Sequence, residues 1–430
     1  MIWVKEIPRR REVSASSGTI GRVHGAAERF RKSVLPSFDR RVWFLLFAML
    51  VFRFGQGLFY PFSTIYFANF VGIPLSLIGV GLASLAVASI ASGLVSGPIT
   101  DRFGRKPVML AALSGSATTF FLFSQVSSFA GYVAVCVMAG LAGSSMFDAA
   151  RNAMVADVTE PGKRARAYGL VRVGGNVGWA AGPAFAGFAA AFFGSSAATY
   201  QYMFMGTSAF TFVVAVSLAF FVRESLPRET GEPKTPALRG IGDALSHRAF
   251  LMLLGAGFLM YYIFTQDWQA LPIYSKNFLE MPDFLIGLFL AGNGLLIILL
   301  QLPIARMIDE NSKSGALLWG AILFALSSAT LLLTDSFWGV FVAFVGFFTL
   351  AEMVLEVAGA AYASEMAPVK LRGTYLALFG VCFGAAHGFS PIVAGSLLQA
   401  GMPNVIWAVQ IGAASLAITL LVLMRMRHKP

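Results

Sequence analysis

Long apolar runs separated by short polar segments cover nearly all of the chain after residue 40. About 20 consecutive apolar residues are enough for an α-helix to cross a bilayer. Twelve runs of suitable length are predicted as helices, at about 42–66, 76–100, 107–126, 131–158, 166–193, 201–222, 249–273, 284–306, 314–333, 337–363, 372–398 and 404–424. The pattern therefore predicts an all-α polytopic membrane protein with twelve transmembrane helices.

One polar connection is much longer than the others. Residues 223–248 are rich in proline, glycine and charge, which is typical of a flexible linker. This linker separates a predicted bundle of six helices at 41–222 from a second one at 249–424. Residues 1–40 are predicted to form a basic tail, and residues 425–430 a short second tail.

The two predicted bundles repeat one another at a constant separation. Asn69-Phe70 recurs as Asn277-Phe278, and Pro183–Gly187 recurs as Pro391–Gly395, in both cases 208 residues later. A shared separation at distant places is the mark of an internal repeat. We therefore expect two pseudo-symmetric six-helix halves, which is a common construction among transporters.

Composition and charge distribution restrict the class of protein. The chain is 57% apolar and 12% charged, with a mean hydropathy of +0.72, which excludes a soluble globular protein. The net charge of +11 could indicate a nucleic-acid partner, but most Lys and Arg residues lie in alternate connections. These are the N-terminal tail, 101–106, 163–166, 223–248, 306–313, 370–372 and 425–429, whereas the remaining connections contain only Lys276.

This asymmetry follows the positive-inside rule, so both termini and the basic connections are predicted to be cytoplasmic. We call that side of the molecule the basic face and the other side the opposite face. The expected surroundings are the lipid bilayer of the cell membrane, and no nucleic-acid partner is expected.

Motifs for enzymatic or metal chemistry are not found. Cys136 and Cys382 lie in apolar runs of different halves, without metal-ligand spacing, and are interpreted as packing residues. The sequence contains no CxxC, HExxH or phosphate-binding loop. We expect no enzymatic activity, cofactor or metal, and we expect a monomer.

A short polar segment separates the second and third runs at residues 101–106. It is predicted to be a tight hairpin, with Gly104 at the turn and Pro107 in the first turn of the next helix. By itself it could be a basic turn that only sets topology. However, the order Gly97, Asp101, Arg102, Gly104, Arg105, Lys106 resembles the signature between helices two and three of the major facilitator superfamily.

This resemblance covers about residues 40–424 and implies that family's fold and its alternating-access transport. The residues from Phe147 to Arg164 are similar to those of its drug:proton antiporter branch. The resemblance also implies a conformational latch at the basic face. In it, Asp101 would lie against the start of the eleventh helix just after Arg372, and Arg105 would reach Asp157.

Charged residues inside membrane helices are costly and are functional candidates. Asp148 and Arg151 are three residues apart on one helix, so they share a face. They are either a neutralising pair that fixes packing or part of a proton or substrate site. Arg53 lies deep in the first helix and needs an acidic partner, for which Asp148 is the first choice.

Glu352 and Glu356 are four residues apart and therefore lie on one face of the tenth helix. Two carboxylates close together repel, which is expected to raise at least one apparent pKa towards the range that proton coupling requires. The pair could also attract a cationic substrate. Structural alternatives are a neutral buried acid or an ion pair with Arg306.

Five further polar residues in the predicted helices are considered together with these candidates. Asp267, beside Trp268, could anchor the helix at the membrane interface or face the cavity. His387 could relay protons or be a simply hydrogen-bonded histidine. Asn176 is included with them as a candidate for the cavity, and Gln56 and Asn293 are added as further polar residues inside these runs.

Small residues recur every four positions in the fifth helix at Gly178, Gly182 and Ala186, with Pro183 between them and Gly187 directly after. This spacing is typical of close helix packing. It also resembles the fifth-helix signature of antiporters in the superfamily, although Ala186 replaces one glycine of that signature.

The preferred function is proton-coupled export of hydrophobic, cationic small molecules by antiport. The first alternative is a proton symporter that imports a sugar, an organic acid or another nutrient, because Arg53, Arg151 and Arg172 could bind an anion. The second alternative is a membrane sensor that transports nothing.

Overall fold

A computed structural model describes residues 38–160, 163–226, 241–368 and 371–427. The predicted basic tail lies outside these residues up to position 37, as do the linker from 227 to 240 and Pro161. Within the described residues the chain is helical and contains no β-strand. The fold is therefore all-α.

Twelve long helices follow one another along the chain. They are α1 Arg40–Asn69, α2 Leu75–Phe103, α3 Arg105–Gln125, α4 Phe129–Asp157, α5 Arg164–Phe193, α6 Ala197–Phe221, α7 Arg248–Asn277, α8 Asp283–Glu310, α9 Lys313–Leu333, α10 Phe337–Met366, α11 Arg372–Gln399 and α12 Pro403–Arg427. Among the described residues, eleven of these helices are long and apolar enough to span a membrane. The exception, α5, has 30 residues but includes three arginines and Asn176.

The turn between α2 and α3 is shorter than the sequence predicts. Helix α2 continues to Phe103 and α3 begins at Arg105, so Gly97, Asp101 and Arg102 are helical and the turn is reduced to Gly104. Gly104 has a φ of +97°, a conformation that a residue with a Cβ rarely adopts. The hairpin prediction holds, but its loop is a single residue.

Two helices are interrupted where the sequence predicts continuous runs. Helix α4 breaks at Gly143, between Phe129–Ala142 and Ser144–Asp157. Helix α10 contains a π-helical segment, Val342–Phe348, immediately before Thr349–Met366. Single π-turns of this kind often occur at functional sites.

The predicted linker at 223–248 contains regular structure in its described part. Residues Ile241–Ser246 form a short helix, and α7 already begins at Arg248. Glu224 is held by backbone hydrogen bonds at the start of α3.

The two halves are packed in the same way. Helix α1 packs on α5 and α6, and its counterpart α7 packs on α11 and α12. Helices α3 and α6 form a pair in the first half, as α9 and α12 do in the second. Across the halves, α2 packs on α11 and α5 packs on α8.

Glycines allow the helices of the two halves to approach closely. A Cβ at Gly79 of α2 would lie 2.4 Å from the carbonyl oxygen of Pro391, and one at Gly287 of α8 would lie 2.5 Å from that of Pro183. Gly287 is 208 residues after Gly79, and Pro391 is 208 residues after Pro183. The internal repeat therefore relates the two contacts and is also a symmetry of the interface between the halves. Small residues are what bring helix backbones into contact inside a membrane.

The halves separate towards the basic face. Gly79, Ala86 and Ile90 of α2 lie against α11, and Gly93 and Gly97 continue along the same helix face. A Cβ at Gly93 or Gly97 would nevertheless meet no atom within 4 Å. A Cβ at Gly380, which continues the matching face of α11, would likewise meet no described atom within 4 Å. The structure is therefore closed at the opposite face and open between the halves at the basic face.

Candidate functional site

Charged side chains of the first half form a linked cluster. Arg53 Nη2 of α1 lies 3.5 Å from Asp148 Oδ2 of α4, and Arg151 Nη1 lies 2.7 Å from Asp148 Oδ1. Arg53 also donates to Gln56 Oε1 at 2.8 Å. The partner expected for Arg53 is therefore present, and Asp148 is shared between two guanidinium groups. Because two cations share one anion, the cluster carries an excess of positive charge.

The carboxylates of the second half lie on α10, next to its π-helical segment. Asn293 Nδ2 of α8 donates to Glu352 Oε2 at 2.8 Å and to Thr349 Oγ1 at 2.9 Å. Thr349 in turn donates to the carbonyl of Phe344 in the π-helical segment at 2.9 Å. The irregular segment and Asn293 thus orient Glu352, a role that periodicity alone could not indicate.

Glu352 and Glu356 are half-buried, and Tyr261 of α7 lies beside Glu356. No described Lys, Arg or His nitrogen lies within 4.0 Å of either carboxylate, so the suggested pair with Arg306 is not formed. Arg172 of α5 is nevertheless close enough to attract both carboxylates electrostatically. The structure thus brings a cation of one half near two anions of the other.

Asp148 and Glu356 occupy equivalent positions in the two halves, because they are 208 residues apart. The same separation relates Arg53, which binds Asp148, to Tyr261, which lies beside Glu356. One half therefore supplies an acid with a cationic partner and the other an acid with a neutral one. The second acid is the one whose charge is less compensated.

His387 and Asn176 lie on α11 and α5, two helices that pack against the other half. His387 Nδ1 of α11 lies 3.3 Å from Gln269 Nε2, and its ring stacks on Phe383. Asn176 of α5 is half-buried. Nearby on the same helix, Trp179 makes an edge contact with Trp268 of α7, with ring centroids 5.5 Å apart. These contacts give the border aromatic walls.

Asp267 lies within the second half, apart from the contacts described above. Its side chain is fully buried within the second half, where Oδ1 accepts a hydrogen bond from Gln410 Nε2 of α12 at 2.6 Å. A fully buried position does not suit an anchor at the membrane interface, so that interpretation is wrong.

The glycine stripe of α5 is a packing surface on two sides. A Cβ at Gly178 would lie 2.1 Å from the carbonyl oxygen of Leu50, and one at Gly182 would lie 2.5 Å from that of Phe54, so both glycines lie against α1. Gly187 lies against α8 of the other half. Pro183 is inside the helix between them.

The latch residues meet at the basic end of the first half. Arg105 is buried, and its Nε lies 2.8 Å from Asp157 Oδ2, as the resemblance implies. Its Nη1 lies 3.2 Å from Asp101 Oδ1 and donates to the carbonyl of Thr100. The expected contact of Asp101 with the start of α11 involves Arg372, whose side chain is outside the described part of the structure. Arg102 lies over the ring of Phe103.

Glu224 belongs to this latch but was not singled out from the sequence. Its carboxylate accepts the backbone N–H groups of Arg105 and Lys106, both at 3.0 Å. In the other direction, Lys106 Nζ donates to the carbonyl of Ala219 near the end of α6 at 2.7 Å. Glu224 therefore caps the positive end of α3 while Lys106 caps the negative end of α6.

The pKa of Glu224 reflects this environment. Partial burial alone would raise the pKa of the carboxyl, but hydrogen bonds from the backbone N–H groups of Leu226, Arg105, Lys106 and Ser225 outweigh it, so the pKa is lowered. The one feature of the sequence that could have indicated Glu224 is its position as an acid just after the apolar run of α6.

A second group of contacts, also absent from the candidates, closes the opposite face. Asp283 at the start of α8 accepts hydrogen bonds from Ser195 and Tyr200 of the first half, both at 2.5 Å. Lys276 Nζ lies 2.8 Å from its other oxygen. Lys276, the single base in the connections of that face, therefore pairs with an acid of its own half, and two residues of the first half bind the same acid.

Comparison with known proteins places this arrangement in a family. The profile of the Major Facilitator Superfamily matches residues 45–291 and 268–430. Over 366 residues the chain is 30% identical to a Na(+), Li(+), K(+)/H(+) antiporter of Planococcus maritimus, covering 77% of this chain and 84% of that protein. It is 25% identical over 352 residues to the multidrug resistance protein MdtH of Yersinia enterocolitica, covering 81% and 84% of the two chains.

Solved structures give the same fold. The crystal structure of the nucleoside transporter NupG superposes with a TM-score of 0.73 at 13% identity, covering 90% of this chain and 99% of that one. A family of transporters excludes the enzyme class and disfavours a sensor that transports nothing. The chain is a multi-span membrane protein and secondary transporter that belongs to the Major Facilitator Superfamily, with relatives of the drug:proton antiporter type.

Proposed function

We propose that the protein exports hydrophobic organic cations in exchange for protons, by alternating access. The observation that carries this proposal is the pair Glu352 and Glu356, half-buried on α10 without an ion-pair partner within 4.0 Å among the described residues. Uncompensated carboxylates in a membrane protein can bind either protons or a cationic substrate. Because protons and the cationic substrate compete for the same two carboxylates, the flux of protons is coupled to the flux of substrate.

Aromatic walls near the carboxylates support a hydrophobic cation as substrate. Trp179 and Trp268 meet at the border of the halves, and Tyr261 lies beside Glu356. The faces of such rings attract cations as well as apolar surface. Relatives named as a multidrug resistance protein and as a Na(+), Li(+), K(+)/H(+) antiporter also support exchange of a cation for protons.

The transport cycle follows from the open and closed faces. In the conformation described here, a cation reaches Glu352 and Glu356 from the basic face and displaces their protons. The halves then rock until the opposite face opens, where protons bind the carboxylates and release the cation. Arg172 is close enough to attract both carboxylates, so its charge partly compensates them after the protons have left.

Efflux of a cationic dye from proteoliposomes under a proton gradient tests the proposal. We expect Glu352→Gln and Glu356→Gln each to abolish gradient-driven efflux, because a neutral amide neither binds a proton nor attracts a cation. Glu310→Gln, at the exposed end of α8, is the matched control and should keep the wild-type rate. Normal efflux by both variants of α10 would show that these carboxylates do not couple transport.

Import of an organic anion with protons is a second candidate, favoured by the cluster of the first half. Arg53 and Arg151 share the single anion Asp148, and Arg172 is exposed nearby on α5. Such an excess of guanidinium groups suits a carboxylate substrate. Uptake of a radiolabelled organic acid that increases with external acidity, together with no dye efflux, would favour this candidate over export.

A further inference from the structure

A buried polar network within the second half remains unused by the cavity site. Asp267 of α7, Gln266 of α7, Ser328 of α9 and Gln410 of α12 are all fully buried. Gln410 Nε2 donates to Asp267 Oδ1 at 2.6 Å and to Gln266 Oε1 at 3.0 Å. Ser328 Oγ lies 2.8 Å from Gln410 Oε1.

The carboxylate of this network is incompletely satisfied. Asp267 Oδ2 is buried and has no hydrogen-bond partner within the described structure. No described Lys, Arg or His forms an ion pair with Asp267. A buried carboxylate without a partner is strongly disfavoured, so a positive species must neutralise it.

Neighbouring titratable groups are engaged elsewhere. On α7 itself, Tyr262 accepts from Gln266 at 3.0 Å. On α10 and α11, which also pack on α7, Glu356 lies beside Tyr261 and His387 beside Gln269. None of these groups forms an ion pair with Asp267 in the described part of the chain, so the neutralising species is taken to come from solution.

We propose that Asp267 is an exchange site that holds either a proton or an alkali-metal ion, with Gln266 and Gln410 as further ligands. The charge favours a monovalent ion, because a divalent one would leave a buried positive charge uncompensated. The oxygens of a carboxylate and of side-chain amides are the ligands that hard cations prefer. This inference rests on the proposed antiport and gives it a second site, separate from Glu352 and Glu356.

The hydrogen bonds of Gln410 indicate how the site could change between the two states. Its amide nitrogen lies where an oxygen of Asp267 and an oxygen of Gln266 converge. If the amide turns by half a rotation, Oε1 joins these two oxygens around an ion. Gln410 Nε2 then donates to Ser328 Oγ, and the hydroxyl proton of Ser328 is given to the carbonyl of Phe324, which lies 3.0 Å away. Gln410 and Ser328 therefore keep partners in both states, and the ion takes the place beside Asp267.

The exchange conserves charge. The O–H bond of the protonated Asp267 breaks, the proton leaves to water, and one alkali ion takes its place. Asp267 is adjacent in sequence to Trp268, whose ring contacts Trp179 of the other half. Rocking of the halves therefore moves the helix segment that carries the site, which links access to the site with the transport cycle.

Proton release on ion binding tests the site in the purified, full-length protein. Lithium or sodium chloride is added in weakly buffered detergent solution near neutral pH, and choline chloride serves as the ionic-strength control. We expect the wild type to release about one proton per chain at saturation, since metal binding displaces the proton of its ligand. Asp267→Asn should release none, and Asp309→Asn, an exposed acid at the end of α8, should behave as the wild type.

Gln410→Met keeps the carboxylate and removes the amide oxygen, so it tests the site even if Asp267→Asn does not fold. It should weaken lithium affinity about tenfold, the loss expected for one ligand. The inference is overturned if the wild type releases no protons or if Asp267→Asn releases as many. The dye-efflux assay distinguishes the two proposals. If the wild type exports the dye but releases no protons on addition of alkali ions, only the ion site at Asp267 is refuted. If it releases protons but does not export the dye, the ion site is supported and organic-cation export is contradicted.

Discussion

Asn69 and Asn277 exchange two hydrogen bonds across the two halves. Asn69 Nδ2 donates to Asn277 Oδ1 at 2.8 Å, and Asn277 Nδ2 donates to Asn69 Oδ1 at 2.9 Å. The residues are the last of α1 and α7 and are 208 positions apart. The pair therefore lies on the pseudo-twofold axis, at the face that is closed.

Converting both residues of this pair to aspartate should open the opposite face. Two carboxylates at hydrogen-bonding distance repel, and neither can donate to the other. We expect Asn69→Asp with Asn277→Asp to increase the distance between spin labels on the α1–α2 and α11–α12 connections, measured by double electron–electron resonance. Asn311→Asp, at the end of α8, should leave that distance unchanged. An unaltered distance in the double variant would mean that the pair does not hold the face closed.

The glycine contacts between α5 and α8 should control the same closure. A side chain at Gly287 would clash with the carbonyl of Pro183, whereas one at Gly93 would meet nothing within 4 Å. Overpacking of this kind costs about 1–3 kcal/mol. We expect Gly287→Val to reduce the population closed at the opposite face and to slow efflux.

The matched control for this substitution is Gly93→Val, which lies where α2 and α11 have separated. It should have little effect on the conformation described here, as monitored by the same spin-label distances. If both variants shift the distances equally, the contact at Gly287 has no special role in closure.

Arg105 should not be replaceable by lysine. Its guanidinium contacts Asp157, Asp101 and the carbonyl of Thr100 at once, and a single ammonium group cannot match this geometry. We expect Arg105→Lys to destabilise the protein by about 1–3 kcal/mol, the range for hydrogen bonds to charged groups. Thermal unfolding in detergent measures the loss, and Arg102→Lys, whose side chain is exposed, should unfold at the wild-type temperature.

Glu224 should make the basic end of the first half sensitive to acid. Because the pKa of Glu224 is lowered in the folded protein, its stabilising effect is complete above the pKa of the unfolded chain, about 4.3. The effect is lost as the pH falls below that value and the carboxylate is protonated. We expect the melting-temperature difference between wild type and Glu224→Gln to be largest near pH 7 and to shrink towards pH 3. A difference that is constant with pH would contradict a role for the charged form.

Much of the architecture could be predicted from the chain because the bilayer allows few alternatives. Apolar runs long enough to cross it must be helical, since every backbone group needs a partner there. Helix ends were predicted within a few residues, and the repeat at 208 residues indicated the two halves. The turn at Gly104 and the pairing of Arg105 with Asp157 also agreed with the structure, because both depend on local sequence or on the family resemblance.

The candidate site was less predictable, because contacts between helices depend on rotation and tilt. Periodicity placed Glu352 and Glu356 on one face, but it could not indicate that a π-helical segment and Asn293 orient Glu352. It could not separate Asp267, buried among α7, α9 and α12, from the residues that border both halves. Glu224 was missed because its partners are backbone groups more than a hundred positions away.

The sequence by itself determined that this is a twelve-helix membrane protein with two repeated halves and with charge concentrated on one face. These properties follow from local hydropathy and spacing, which act along the chain. Only the tertiary structure decided which face is closed and that Asn69 meets Asn277 there. It also decided that Asp148 is shared by two arginines, whereas Glu356 has no ion-pair partner among the described residues. Those outcomes depend on how close helix backbones approach and which side chains then face each other, and no period along a single helix encodes that.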